Sequence, residues 1–312
     1  MATNDTVIAN VEKAFKRTDV AVSDLKTNGG YLNPTQFDYF MREVGRGTDL
    51  LPLIRMTTMG SPEMNIDKIG IGSRFLHKAT SATPLDASKR AKPIFGQVKL
   101  TCQELIGSIY IPYDVIEDNI ERGTLSSTIM SLIIRKAQED MEEVGLLGDT
   151  TSSDDLLNSF DGWMKLANGH IVDFATPVAM SKDVFKKGLL AMPSKFLRNR
   201  QGMAHFIGPH AEIEYADSLT ARTTPLGDSK ITGTWQGNYA QGVPVRPASV
   251  MPETKGLFCD PKNLIMGVYR NVQIETDKDI ESRVYKIVMT MRIGVQIEEK
   301  DAVVRYSGLD VD

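Results

Sequence analysis

Residues 124–147, TLSSTIMSLIIRKAQEDMEEVGLL, decide how the rest of the chain is read. Leu125, Ile129, Leu132, Ile133, Ala137, Met141 and Val144 recur in steps of three, four and one, which places them on one face of an α-helix. Arg135, Gln138, Glu139, Glu142 and Glu143 fall off that stripe. Thr124 reads as the N-cap and Gly148-Asp149 as the stop, with the glycine supplying a left-handed turn. At about 1.5 Å per residue this is a rod of roughly 36 Å, longer than a usual globular helix. It lies between two strand-rich blocks and reads as a spine, although an ordinary long core helix fits the same pattern.

The other long signal is near the C-terminal end. Tyr285, Ile287, Met289, Met291, Ile293, Val295 and Ile297 alternate with Lys286, Val288, Thr290, Arg292, Gln296 and Glu298. That is one strand of about 15 residues, roughly 50 Å at 3.3 Å per residue, against a usual five or six residues. Gly294 reads as a bulge or bend. Before it, Leu257–Cys259, Leu264–Val268 and Val272–Glu275 read as short strands, split by turns at Asp260-Pro261 and Arg270-Asn271. Ala302–Tyr306 returns as the last strand.

Upstream of the spine the character differs. Val7, Ile8, Val11 and Phe15 suggest a weak amphipathic helix or loose arm, and Asn33-Pro34-Thr35-Gln36 starts a short helix with Phe37, Phe40, Met41 and Val44 on one face. Asn65–His77 reads as a strand pair interrupted at Gly70 and Gly72, and Ile94–Ile111 as a strand. Between them, ATSATPLDASKRAKP is polar. Together these make a long two-stranded arm, and a lone hairpin is marginal in water. Such an arm needs a surface to lie on, either its own domain or another subunit. The basic cluster Lys89, Arg90 and Lys92 at its tip either meets acids on a neighbour or keeps the tip solvated.

After the spine comes a middle block over 163–255. Ser181 caps a helix carrying Val184, Phe185, Leu189, Leu190 and Met192 that Pro193 stops. Met203–Ile207 is a short buried strand, His210–Leu219 is helical, Thr223–Tyr239 is a long irregular loop, and Val243–Val250 is extended.

Composition bounds the rest. The chain has 312 residues, 41% of them apolar, and a net charge of −4. Its length supports one large or two ordinary domains, and its charge gives no basic field aimed at nucleic acid. Cys102 and Cys259 read as buried free thiols. No signal peptide and no membrane span are expected. Phosphate-binding, dinucleotide, nucleophile-elbow and zinc signatures are missing. Of the four histidines, His205 reads as a strand-end and His210 as a helix-start residue. The acidic clusters Glu117-Asp118 with Glu121, Asp149 with Asp154 and Asp155, and Asp277 with Asp279 lie at turns or helix ends, where acids are favoured without a metal. No catalytic, cofactor or metal residue is assigned and no cofactor or enzymatic activity is expected.

With these pieces in order, the chain resembles the major capsid proteins of tailed bacteriophages with the Hong Kong 97 fold. The resemblance is carried by IPYDVIEDNIERGTLSSTIMSLIIRKAQEDMEEVGLLGD (111–149) and NLIMGVYRNVQIETDKDIESRVYKIVMTMRIGVQIEEKDAVVRY (263–306). It implies an α+β fold: an N-terminal arm over 1–48, an extended β-hairpin loop with its flanking strands over 49–105, and a peripheral domain, with the spine helix and long β-strands, from 106–160 with 256–312. The axial domain would be 161–255, its Thr223–Tyr239 loop at the centre of a hexamer or pentamer. The implied function is self-assembly into an icosahedral shell around double-stranded DNA in a virion assembled in the host cytoplasm, without sequence-specific DNA binding and without a membrane. Many relatives carry a long N-terminal scaffolding segment that is cut away; only about 30 residues precede the Asn33 helix here, which implies either a separate scaffolding protein or an already mature chain, with portal and decoration proteins as further implied partners. The implied inter-subunit contacts are Lys78, Lys89, Arg90, Lys92, Trp235, Tyr239 and Arg292. Some relatives crosslink a loop lysine to a neighbour's asparagine; nothing selects Lys78, Lys89 or Lys92 for this, and no crosslink is expected. Two alternatives stand beside this reading: an encapsulin-type nanocompartment shell, and a soluble enzyme holding a metal at Asp149, Asp154 and Asp155.

Overall fold

The computed structural model describes residues 48–71, 76–78, 86, 90, 92–114, 125–220 and 238–310. In chain order the elements are β1 (Arg55–Met59), β2 (Glu63–Ile71), β3 (Pro93–Thr101), β4 (Gln103–Pro112), α1 (Leu125–Leu147), α2 (Trp163–Leu166), β5 (His170–Ala179), α3 (Lys182–Ala191), β6 (Ala204–Ile207), α4 (Pro209–Thr220), β7 (Asn238–Ala240), β8 (Val243–Pro247), β9 (Lys255–Cys259), β10 (Leu264–Asp279), β11 (Val284–Ile297) and β12 (Val303–Asp310).

They form a four-stranded sheet ordered β1-β10-β11-β4, a six-stranded sheet ordered β5-β12-β9-β6-β8-β7, and a separate two-stranded sheet of β2 and β3. The middle and last blocks of the chain share the six-stranded sheet, so a boundary at residue 255 runs through it. Its central strands are apolar on both faces. Leu257, Cys259 and Val303 point into one core with α1, Trp163, Met266 and Ile293. Phe258, Val304 and Tyr306 point into a second with Val184, Phe185 and Tyr215.

The spine runs over Leu125–Leu147, with Ile133, Met141 and Val144 buried as the periodicity predicts. Its buried arc is displaced from the expected one: Gln138 and Glu142 are buried and Leu132 is exposed. The cause is the strap at residues 48–51, which covers that flank and needs a hydrogen-bond acceptor. The Leu50 amide donates to Glu142 Oε1 at 3.1 Å. Burial raises the pKa of Glu142, the Leu50 amide opposes that rise, and the Asp49 charge adds to it. Gly148 does end the helix, but not through a left-handed turn: among described glycines only Gly242 and Gly308 have positive φ. A Cβ at Gly148 would fall on the Phe160 carbonyl oxygen.

Four further expectations are corrected. The expected strand pair over Asn65–His77 is not interrupted at Gly70, because β2 is one strand through it, while Gly72 lies outside the described residues. Ile94–Ile111 breaks at Cys102 into β3 and β4, which belong to different sheets. Arg270-Asn271 is not a turn, because β10 continues through it for 16 residues with a register shift between Tyr269 and Gln273. Gly294 is not a bulge: it pairs in register with Gly267, and a Cβ there would strike the Thr101 carbonyl oxygen. Strand β5, whose apolar and polar residues alternate irregularly, was not expected at all. The N-terminal helices, Thr124 and the Glu117–Glu121 cluster lie outside the described residues.

Candidate inter-subunit surfaces

The hairpin β2–β3 carries two faces of opposite design. Direct cross-strand partners share a face. On one, Met64, Ile66 and Leu100 pack at the base of the arm against Met59, Cys102 and Ile265. Farther out on this face come Lys68, whose ammonium pairs with Glu299 at 3.5 Å, and then Gly70 opposite Ile94. The other face starts polar. Lys99 pairs with Glu63 at 2.8 Å, and Gln97 Nε2 donates to Asp67 at 2.9 Å. It then turns apolar with Ile69 opposite Phe95, which are 73% and 71% exposed. The base of the arm is therefore satisfied by its own subunit, and its outer part presents apolar side chains to solvent.

Close approach fixes the arm's direction. Gln296 Nε2 donates to the Lys99 carbonyl at 2.9 Å, the Cys102 amide donates to the Pro62 carbonyl at 2.9 Å, and Gly294 lets the backbone of Thr101 come down on β11. The strap and the strand that follows it are tied to the same subunit at two points. Asp49 accepts the Ser249 amide at 3.0 Å, and Arg55 pairs with Glu298 at 3.1 Å.

The residues singled out from sequence fall as follows. Lys78, Arg90 and Lys92 are exposed beyond the described ends of the hairpin. Lys89 and Trp235 lie outside the described residues. Tyr239 is exposed in β7, with its carbonyl accepting the Tyr215 hydroxyl at 3.0 Å. Arg292 is held within its own chain: Nη2 lies 2.6 Å from Glu104 on β4, and the guanidinium sits over the Tyr269 ring. The exposed pair Ile69 and Phe95 was missed. Period-two alternation flags both positions, but only the register of β2 on β3 shows that they are opposite each other.

Asp149, Asp154 and Asp161 are engaged internally. Lys165 Nζ lies 2.8 Å from Asp149 and 2.7 Å from Asp161, and Asp149 also accepts from Thr151. Its pKa is lowered, first by the Lys165 hydrogen bond. Asp154 accepts the Leu156 and Leu157 amides. Among the described residues no group of three or more potential ligands is placed to hold a metal. His205 is fully buried in β6 and stacked on Phe258, with Nδ1 3.1 Å from the Tyr306 hydroxyl; burial pulls its pKa down to about 3. His210 sits in the first turn of α4.

No protein-family model matches the chain. It is 35% identical over 306 residues to the Bacillus subtilis (strain 168) protein named as prophage capsid protein YqbE, covering 94% of this chain and 97% of that one. A chain of the satellite phage P4 procapsid with its size determination (Sid) protein superposes with a TM-score of 0.67, at 15% identity and over 96% of this chain and 98% of that one. The capsid of a native GTA particle gives 0.59, at 14% identity and over 85% and 91%. The holo-SrpI encapsulin complex from Synechococcus elongatus PCC 7942 gives 0.58, at 12% identity and over 84% and 87%. Related over nearly its whole sequence to a prophage capsid protein, and sharing its fold with the subunits of phage shells, this chain belongs to the tailed-bacteriophage major capsid proteins of the Hong Kong 97 fold.

Proposed function

We propose that this capsid protein assembles through hexamers and pentamers into a closed icosahedral shell around double-stranded DNA, with the hairpin β2–β3 lying over a neighbouring subunit. The observation that carries this reading is the exposed Ile69 and Phe95 pair on the outer part of an arm whose base is already packed. Covering both side chains on a neighbour removes apolar surface from water, worth about 25 cal/mol per Å². In this reading 1–48 is an N-terminal arm, 49–105 the extended loop with its flanking strands, 106–160 with 256–312 the peripheral domain and 161–255 the axial domain, which shares its sheet with β9 and β12. The 223–239 loop then points to the capsomer centre. Lys78, Lys89, Arg90, Lys92, Trp235 and Tyr239 stand as contacts between copies, while Arg292 acts indirectly by bracing β11 on β4. Scaffolding, portal and decoration would be the work of separate proteins. A net charge of −4 suits a wall that contains DNA without gripping it.

Expression of the chain alone and with its phage's scaffold, followed by size exclusion and electron microscopy of the void fraction, tests this. Closed shells or hexamer sheets are expected, and a subunit that stays monomeric in both settings would overturn it. The encapsulin likeness supplies a second reading, a shell around a protein cargo. Nuclease-protected DNA inside particles from infected or induced cells selects the first reading, and a co-purifying enzyme without DNA selects the second.

A further inference from the structure

Two helices on the outer side of the six-stranded sheet carry complementary surfaces. Helix α3 buries Val184, Phe185, Gly188 and Leu189. That leaves Lys182, Lys186 and Leu190 in one solvent row at i, i+4 and i+8, with Leu190 75% exposed. Helix α4 buries Ala211, Glu212 and Tyr215. Its solvent row is Ile213 and Asp217 at i and i+4, flanked by Glu214, and Ile213 is 61% exposed. The ion pairs formed among the described residues use neither lysine, and use neither Glu214 nor Asp217. One row runs from two lysines to a leucine and the other from an isoleucine to acids, on the same chain.

We propose that α3 of one copy packs antiparallel on α4 of the next, with Leu190 on Ile213 and Lys186 paired to Asp217. The inference rests on the shell reading and specifies one contact within a capsomer. The register follows from helix geometry. Lys186 lies one step of four residues before Leu190, and Asp217 lies one step of four after Ile213. Each step is about 6 Å along its axis, so opposed directions match both pairs at once. The occupant is a second copy rather than nucleic acid, because a phosphate backbone would leave Leu190, at the end of the row, uncovered. The complement in charge and in apolar surface is already present on this chain. The contact joins two different patches, so it is heterologous and closes into a ring when the rotation between copies allows. The apolar residues supply the attraction, and the flanking charges set register and reject like-charged pairings.

The test is a charge exchange. Lys186→Glu, Asp217→Lys and the double variant would be compared with wild type for particle yield by sedimentation, with circular dichroism confirming that each subunit folds. Each single variant should lower the yield at least about tenfold through like-charge apposition, and the double variant should recover most of it. Singles that assemble like wild type would overturn the proposal, as would a double variant no better than the worse single. So would a Lys186→Glu variant that loses only DNA content. A second readout does not depend on shells. Zero-length carbodiimide crosslinking of mixed isotope-labelled and unlabelled chains at high concentration should join Lys186 of one chain to Asp217 of another. If wild type forms no shells yet gives this crosslink, the shell reading fails and the contact stands; shells without the crosslink leave the shell reading intact and sink the contact.

Discussion

The ribbons β10–β11 and β2–β3 are both antiparallel pairs with alternating apolar residues, and they end in different environments. In β10–β11 the apolar face lies under α1 and the outer edges are covered by β1 and β4, so Met266, Val268, Ile293 and Val295 are buried. In β2–β3 only the base is covered, and Ile69 and Phe95 stand in solvent. Alternation tells which residues share a face; it does not tell whether the cover comes from the same subunit. The ribbon with neighbours on both edges is core, and the ribbon without them leaves Ile69 and Phe95 to solvent.

The largest effect that would break this contrast is at Ile293. Truncation to Ala should cost the unassembled subunit about 2–5 kcal/mol in urea unfolding, as for a fully buried aliphatic residue. A loss under 1 kcal/mol would mean that the long ribbon is not the core it looks to be. Gly294→Ala comes next. Its Cβ meets backbone rather than a flexible side chain, so about 1–3 kcal/mol of strain is expected, together with a change in the arm's angle. Limited proteolysis within the hairpin should then quicken.

A smaller effect tests the second core, where the buried group is polar. His205 titrates at about 3 in the fold and at about 6.5 when unfolded. Below pH 6.5 the unfolded chain takes up a proton that the native core refuses, so stability is greatest above that pH and falls as pH drops from 6.5 toward 3. The loss between pH 7 and 5.5 should be about 1 kcal/mol. His205→Phe should flatten this slope while losing the Tyr306 hydrogen bond at every pH; an unchanged slope would mean that other groups carry it. The smallest effect sharpens the contrast most. Phe95→Ala should change subunit stability by no more than about 0.5 kcal/mol and yet reduce particle yield sharply. Equal losses in both measurements would place Phe95 in its own subunit's core.

The long-range periods were legible in the sequence: the spine helix, the long strand, α3, β6 and α4 all follow from spacing. What was not legible depended on partners distant in sequence. Glu142 reads as a solvent-side acid until the strap at residue 50 is laid against it. Gly294 reads as a bend until Thr101 is seen to cross above it. Arg270-Asn271 reads as a turn because polar residues interrupt an apolar run, but the cross-strand partner β11 carries β10 through. For the surfaces, the basic residues around the hairpin tip were legible as charge. The apolar pair Ile69 and Phe95 required register, and the match of α3 to α4 required knowing which arc of each helix the sheet consumes.

The place of β12 in the six-stranded sheet also bears on when a subunit can become competent. Strand β5 at the edge reaches the rest of the sheet through β12, which lies between it and β9. Residues 303–310 are translated after every other described strand. A ribosome-bound chain therefore holds β5 and the helix that follows it without their seat until the last strand arrives. The lobe that carries α3 and α4 is completed only at that point.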